Sequence, residues 1–168
     1  EYESVLQFTG TQGQWNDLTG GPSYTINTPQ TLSYYVKETN QAASPLTINA
    51  GAGTVTFSGA VGTSKALASL DVTSTSGIAI NGGAVTTEGL QTYNGNVTLG
   101  SASTTLTQTN ANVDFTLATG KSITNATGAD ADLTIKTTRS IIMESGSLIS
   151  SSSGRLNTIM WSDSDGSD

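Results

Sequence analysis

Residues 78–99 read IAINGGAVTTEGLQTYNGNVTL, in which two short apolar pairs, Ile78 with Ile80 and Val97 with Leu99, flank turn-forming Asn and Gly. Alternation with a period of two is the mark of a half-buried strand. Ile78 and Leu99 lie 21 residues apart, and the same step leads back from Ile78 to Phe57. Leu117, Ile135 and Leu156 follow at intervals of 18, 18 and 21 residues. A β-type run that returns about every 20 residues marks an architecture of stacked coils. The spacing predicts one inward column through Phe57, Ile78, Leu99, Leu117, Ile135 and Leu156. A second is expected through Leu70, Leu90, Val113 and Leu133.

The same stretch carries the rival reading. Asn81-Gly82 and Asn94-Gly95 are hairpin signals of the type I′ kind, and short strands at regular spacing also describe an antiparallel β-sandwich. The preferred expectation is an all-β parallel β-helix, because strong hairpin turns are too few for so many strands. No helical pattern of useful length occurs.

Outward from this stretch, further period-2 pairs recur. They are Leu46 and Ile48, Val55 and Phe57, Leu70 and Val72, Leu133 and Ile135, and Ile141 and Met143, with Val113, Phe115 and Leu117 as a triplet. Residues 46–161 are therefore expected to form the β-helix. Residues 1–45 differ, holding Tyr2, Phe8, Trp15, Tyr24, Tyr34 and Tyr35 together with Pro22 and Pro29. They read either as extra coils or as a cap over the first coil, which would block edge pairing. Residues 162–168 are an acidic end.

The chain has 168 residues, 11% of them charged, and a net charge of −7. Lys37, Lys65, Lys121, Lys136, Arg139 and Arg155 are scattered, so no basic stripe exists to neutralise phosphates, and nucleic acid is not an expected partner. No apolar run approaches a membrane span, and Glu1 to Leu6 lack the features of a secretory leader, which reads as a mature product or an excised piece. The absence of Cys fits a cytosolic protein or a surface protein exported unfolded. The Ser, Thr, Gly and Asn-rich composition points to the second, a secreted or bacterial cell-surface location.

Three stretches, Thr54 to Gly62 (TVTFSGAVG), Gly89 to Leu99 (GLQTYNGNVTL) and Leu156 to Asp163 (LNTIMWSD), resemble the repeat regions of filamentous haemagglutinin-type adhesins, the two-partner secretion exoproteins of bacteria. The resemblance covers residues 46–163. It implies a right-handed parallel β-helix on the outer surface, exported through an outer-membrane secretion pore. The Asn-Pro-Asn type motif of that family's secretion domain is absent, since no Asn here precedes Pro. The chain resembles the shaft of such proteins.

Without His or Cys the commonest general bases, thiol nucleophiles and transition-metal ligands are missing, and no enzyme activity is expected. Among the acids, Asp71, Glu88, Asp114, Asp130 and Asp132 are the carboxylates a β-helical glycan hydrolase or lyase would use. Asp71 and Asp114 are 43 residues apart, too far for adjacent coils, and Asp130 with Asp132 reads as a solvated corner. Asp163, Asp165 and Asp168 alternate around Gly166 like half of a calcium loop, and calcium is the one cofactor this chain suggests. Trp15, Tyr34, Tyr35 and Trp161 could stack on sugar rings as glycan contacts, or serve as core and cap. Scattered Thr-x-Thr triplets at 54–56 and 107–109 do not make an ice-binding ladder.

The reading that results is a non-enzymatic extracellular module of an adhesin, a rigid spacer and adhesive surface. Its expected partners are a glycan or protein of a host or neighbouring cell. The alternative is a filament subunit that stacks end to end on copies of itself. A carbohydrate-active β-helix is the weaker third reading.

Overall fold

The computed structural model describes residues 24–27, 32–33 and 43–166. Sixteen strands follow one another: β1 (Tyr24–Asn27), β2 (Leu32–Ser33), β3 (Pro45–Asn49), β4 (Val55–Phe57), β5 (Ser69–Thr73), β6 (Ile78–Ile80), β7 (Ala84–Thr87) and β8 (Gln91–Asn94), then β9 (Val97–Leu99), β10 (Ser103–Gln108), β11 (Phe115–Leu117), β12 (Ser122–Asn125), β13 (Ala131–Lys136), β14 (Ile141–Met143), β15 (Leu148–Ser151) and β16 (Leu156–Trp161). Each strand pairs in parallel with the equivalent strand of the next coil, so the order is β1-β3-β5-β8, β2-β4-β6-β9-β12-β15 and β7-β10-β13-β16, with β11-β14 as a separate pair. Bridges from Val61 to Val85 and from Leu67 to Thr87 extend the third face by one coil. The chain is a β-solenoid of about five turns. Every pairing among the described residues is parallel, which rules out the antiparallel sandwich.

The Asn-Gly dipeptides therefore act as corners. Asn81 and Gly82 both donate their backbone N–H to the Phe57 carbonyl of the preceding coil, at 2.9 and 3.0 Å. A hairpin would instead turn those groups toward its own partner strand. Gly82 passes so close to Gly59 and Ala60 that a Cβ would overlap their backbone, and Gly83 adopts φ +74, so both positions need glycine for different reasons.

From β3 to β13 alternate residues point into the core, as in Val55 and Phe57, Ile78 and Ile80, or Leu106 and Gln108. The register stacks them. Val55, Ile78, Val97, Ile123 and Ile149 form one column, and Phe57, Ile80 and Leu99 form the next. Val85, Leu106, Ile135 and Met160 form a third. Each fully buried aliphatic side chain contributes about 1.5–3 kcal/mol before chain entropy is subtracted.

The column expected from sequence is distributed over several of these. Phe57 and Leu99 share a column with Ile80, whereas Ile78 sits two residues back beside Val97. Leu117 faces Met143, Ile135 lies between Leu106 and Met160, and Leu156 pairs with Ala131. The first five of the six are buried and Leu156 is half-buried. The coils are unequal: Ile78 to Val97 spans 19 residues, Val55 to Ile78 23, and Leu106 to Ile135 29. A fixed step near 20 therefore slips from one face to another. The second expected column fails in the same way, since Leu70 stacks on Gln91 and Leu90 lies between strands, 57% exposed.

Strand β3 begins at Pro45, and β1 and β2, inside residues 1–45, continue the first two faces by one strand each.

Candidate functional site

Outward positions on the faces are mostly hydroxylic, among them Thr56, Thr98, Thr105, Thr116, Thr124 and Thr134. β-Branched hydroxyl side chains favour extended backbone and hydrate the surface, which suits a chain so poor in charge. One outward column departs from this pattern. It runs in register through Thr86, Thr107, Lys136 and Trp161. Lys136 lies over the Trp161 ring, its Nζ 4.9 Å from the centroid, a cation–π contact that holds the indole against the face.

Beside this column lies a groove of about 270 Å³, lined by Thr107, Gln108, Thr109, Lys136, Thr138, Trp161, Ser164 and Asp165. Its far wall is the segment after β16. Ser164 donates its N–H to the Thr137 carbonyl at 3.0 Å, Asp163 takes φ +48, and Gly166 donates back to the Asp163 carbonyl at 3.2 Å. The tight turn after β16 thus folds back toward β13 and sets Ser164 and Asp165 beside Trp161. Trp161 remains 51% exposed.

Among the aromatic candidates, Trp161 lines this groove, while Trp15, Tyr34 and Tyr35 lie outside the described residues. Of the three aspartates, Asp163 is half-buried, Asp165 is exposed on the groove, and Asp168 lies outside the described residues. Among the described residues no three carboxylates converge as a metal-binding group.

Asp71, Asp114, Asp130, Asp132 and Glu144 join one coil to the next, whereas Glu88 bonds to the neighbouring coils through its backbone. Asp130 accepts from the Arg155 backbone N–H at 2.8 Å and from the Arg155 side chain at 3.0 and 2.7 Å. Those hydrogen bonds hold the Asp130 carboxyl below the usual carboxylate range, the opposite of what a catalytic acid requires. Asp132 accepts from Asn157, Asp71 from Asn94, and Asp114 from the Ser140 N–H while pairing with Arg139 at 3.2 Å. Glu144 accepts from both the hydroxyl and the N–H of Thr119, which lower its pKa. Each clip spans 23 to 26 residues, one coil. In the sequence this pattern reads as an acid followed one coil later by Arg, Asn or Ser, with Glu144 reversed, its partner Thr119 lying one coil earlier. Lys136 and Asp165 as groove residues had no such signal, because only the register brings them beside Trp161.

The last coil forms a second feature. No strand pairs with the outer edge of β14, β15 or β16 among the described residues. Met143 and Met160, whose counterparts Leu117 and Ile135 are buried, are 40% and 47% exposed. Comparison with protein-family models, curated proteins and solved structures finds no match to this chain.

Proposed function

We propose that this chain is a non-enzymatic module of a bacterial surface adhesin, secreted through an outer-membrane pore, that presents an adhesive face to a glycan or protein of a host or neighbouring cell. The observation that carries this reading is the lateral groove built around Trp161 on a rigid, hydroxyl-rich face. Magnitude decides between the two parts of the adhesin role. The described residues, about five turns at the parallel-strand spacing of ~4.8 Å, span only ~24 Å, so by themselves they displace a binding element very little. The adhesive face is the main contribution of a single copy, and spacing becomes large only where solenoids continue one another. The test is retention of the purified chain on a glycoprotein-coated sensor. Saturable retention that Leu99→Asp abolishes together with the fold is expected, and equal retention of the unfolded variant would contradict the proposal.

The filament reading has its own support in the last coil. Three parallel edges that no strand pairs among the described residues, with the exposed core-facing Met143 and Met160, form a surface ready for another coil. End-to-end stacking of a second copy is heterologous and does not close, so it generates filaments. Sedimentation that rises with concentration, and that Met160→Glu suppresses, is the expected result for this reading. A monomer at every concentration contradicts it.

A further inference from the structure

We infer that the Trp161 groove is a binding site for a neutral oligosaccharide, with one pyranose ring stacked on the indole face opposite the Lys136 ammonium. The inference rests on the adhesive reading above and names the ligand class it would serve. Three observations converge. First, the outward column that is Thr at Thr86 and Thr107 becomes Lys136 and then Trp161, so an aromatic face ends a column that begins with small hydroxyls. The C–H face of a pyranose is apolar and packs on such a ring, while its rim of hydroxyls needs donors and acceptors. Second, those groups are present. Thr107, Thr109 and Ser164 bring hydroxyls that donate and accept, Asp165 brings an acceptor, and Lys136 brings a donor, all around one cavity of about 270 Å³. That volume sits near the small end of small-molecule sites and fits one or two sugar rings better than a peptide or a lipid chain.

Third, charge selects against an acidic sugar. The Asp165 carboxylate lines the groove beside the Lys136 ammonium, so the local charges balance, while the chain as a whole carries a net charge of −7. An anionic glycan would meet this field unfavourably, and a neutral one would not.

The experiment is a lactose titration of the full chain followed by ¹H–¹⁵N spectra. Loss of one indole signal in Trp161→Phe assigns the Trp161 resonance, and Trp15 serves as the internal control. The expected result is a saturable shift of the Trp161 indole and of the Thr107, Thr109 and Ser164 amides. Affinity falls about tenfold or more in Trp161→Ala and is largely kept in Trp161→Tyr. Unchanged backbone dispersion in both variants establishes that they fold. Absence of a saturable shift at Trp161, or equal affinity in Trp161→Ala, overturns the inference. Tighter binding of a galacturonate disaccharide than of lactose overturns the neutral class. Retention on the glycoprotein surface separates the two levels: if Trp161 is silent while retention persists, the groove fails and the adhesive reading stands, and loss of both removes both.

Discussion

Asn125 ends an apolar column and joins the last two coils, so replacing it should release the end of the solenoid selectively. It is fully buried, directly after Leu99 in register and directly before Ser151. Its Nδ2 lies within hydrogen-bond distance of the Ala129 carbonyl at 2.8 Å, the Ser151 hydroxyl at 3.1 Å, and the Ser153 and Arg155 carbonyls at 3.1 and 3.3 Å. Two hydrogens serve those four acceptors. Oδ1 accepts from the N–H and the hydroxyl of Thr127 at 3.0 and 2.8 Å. Asn125→Ala thus removes about four bonds, each worth roughly 0.5–1.5 kcal/mol net. Ser151, Ser153 and Arg155 are exposed and can turn to water, which places the cost near the lower end, about 2 kcal/mol. Because stacked coils open from their ends, that loss appears locally. Amide exchange over residues 148–161 should accelerate by about 30-fold, while residues 46–80 keep their protection. Asn125→Leu restores apolar burial without the bonds and should loosen the same segment. Unchanged exchange in 148–161, or a uniform loss across all coils, would refute the assignment of Asn125 as the pin.

Gly82→Ala should cost upwards of about 3 kcal/mol in urea unfolding, since its Cβ meets backbone that cannot turn aside, whereas Gly120→Ala, with open space and φ +67, should cost about 1–2 kcal/mol from conformation alone. Comparable losses at the two positions would contradict the close inter-coil approach at Gly82. Leu99→Asp buries an unpaired charge in the column between Ile80 and Asn125 and should abolish cooperative unfolding, read by circular dichroism. Asp130 has its folded pKa held down by Arg155, so its contribution is complete above the unfolded carboxylate pKa and is lost as pH falls toward the folded value. Thermal unfolding should therefore separate wild type from Asp130→Asn at neutral pH, and the two should converge in acid. A difference that persists in acid would show that the clip does not act through ionisation.

The strands were legible because alternation is local. Val55 and Phe57, Ile78 and Ile80, and Val97 and Leu99 could be paired by inspection, and all three pairs are buried. The register was not legible, because it depends on corner lengths that vary between coils, and Asn125 occupies a column position that an apolar search passes over. Trp161 was visible as an aromatic residue near the acidic end, but its groove required Lys136 one coil earlier and the turn at Asp163 to bring Ser164 and Asp165 alongside. The apolar surface of the final coil was also hidden. Met160 reads as an ordinary core-facing strand residue, but among the described residues no strand pairs beyond it and it is 47% exposed.

Retention of the folded chain on a mucin-coated sensor, with the wash analysed for released saccharide, tests the central claim most directly. The account predicts saturable, reversible retention of the intact chain with no sugar released. Failure of the folded chain to be retained, or release of saccharide from the surface, would contradict it.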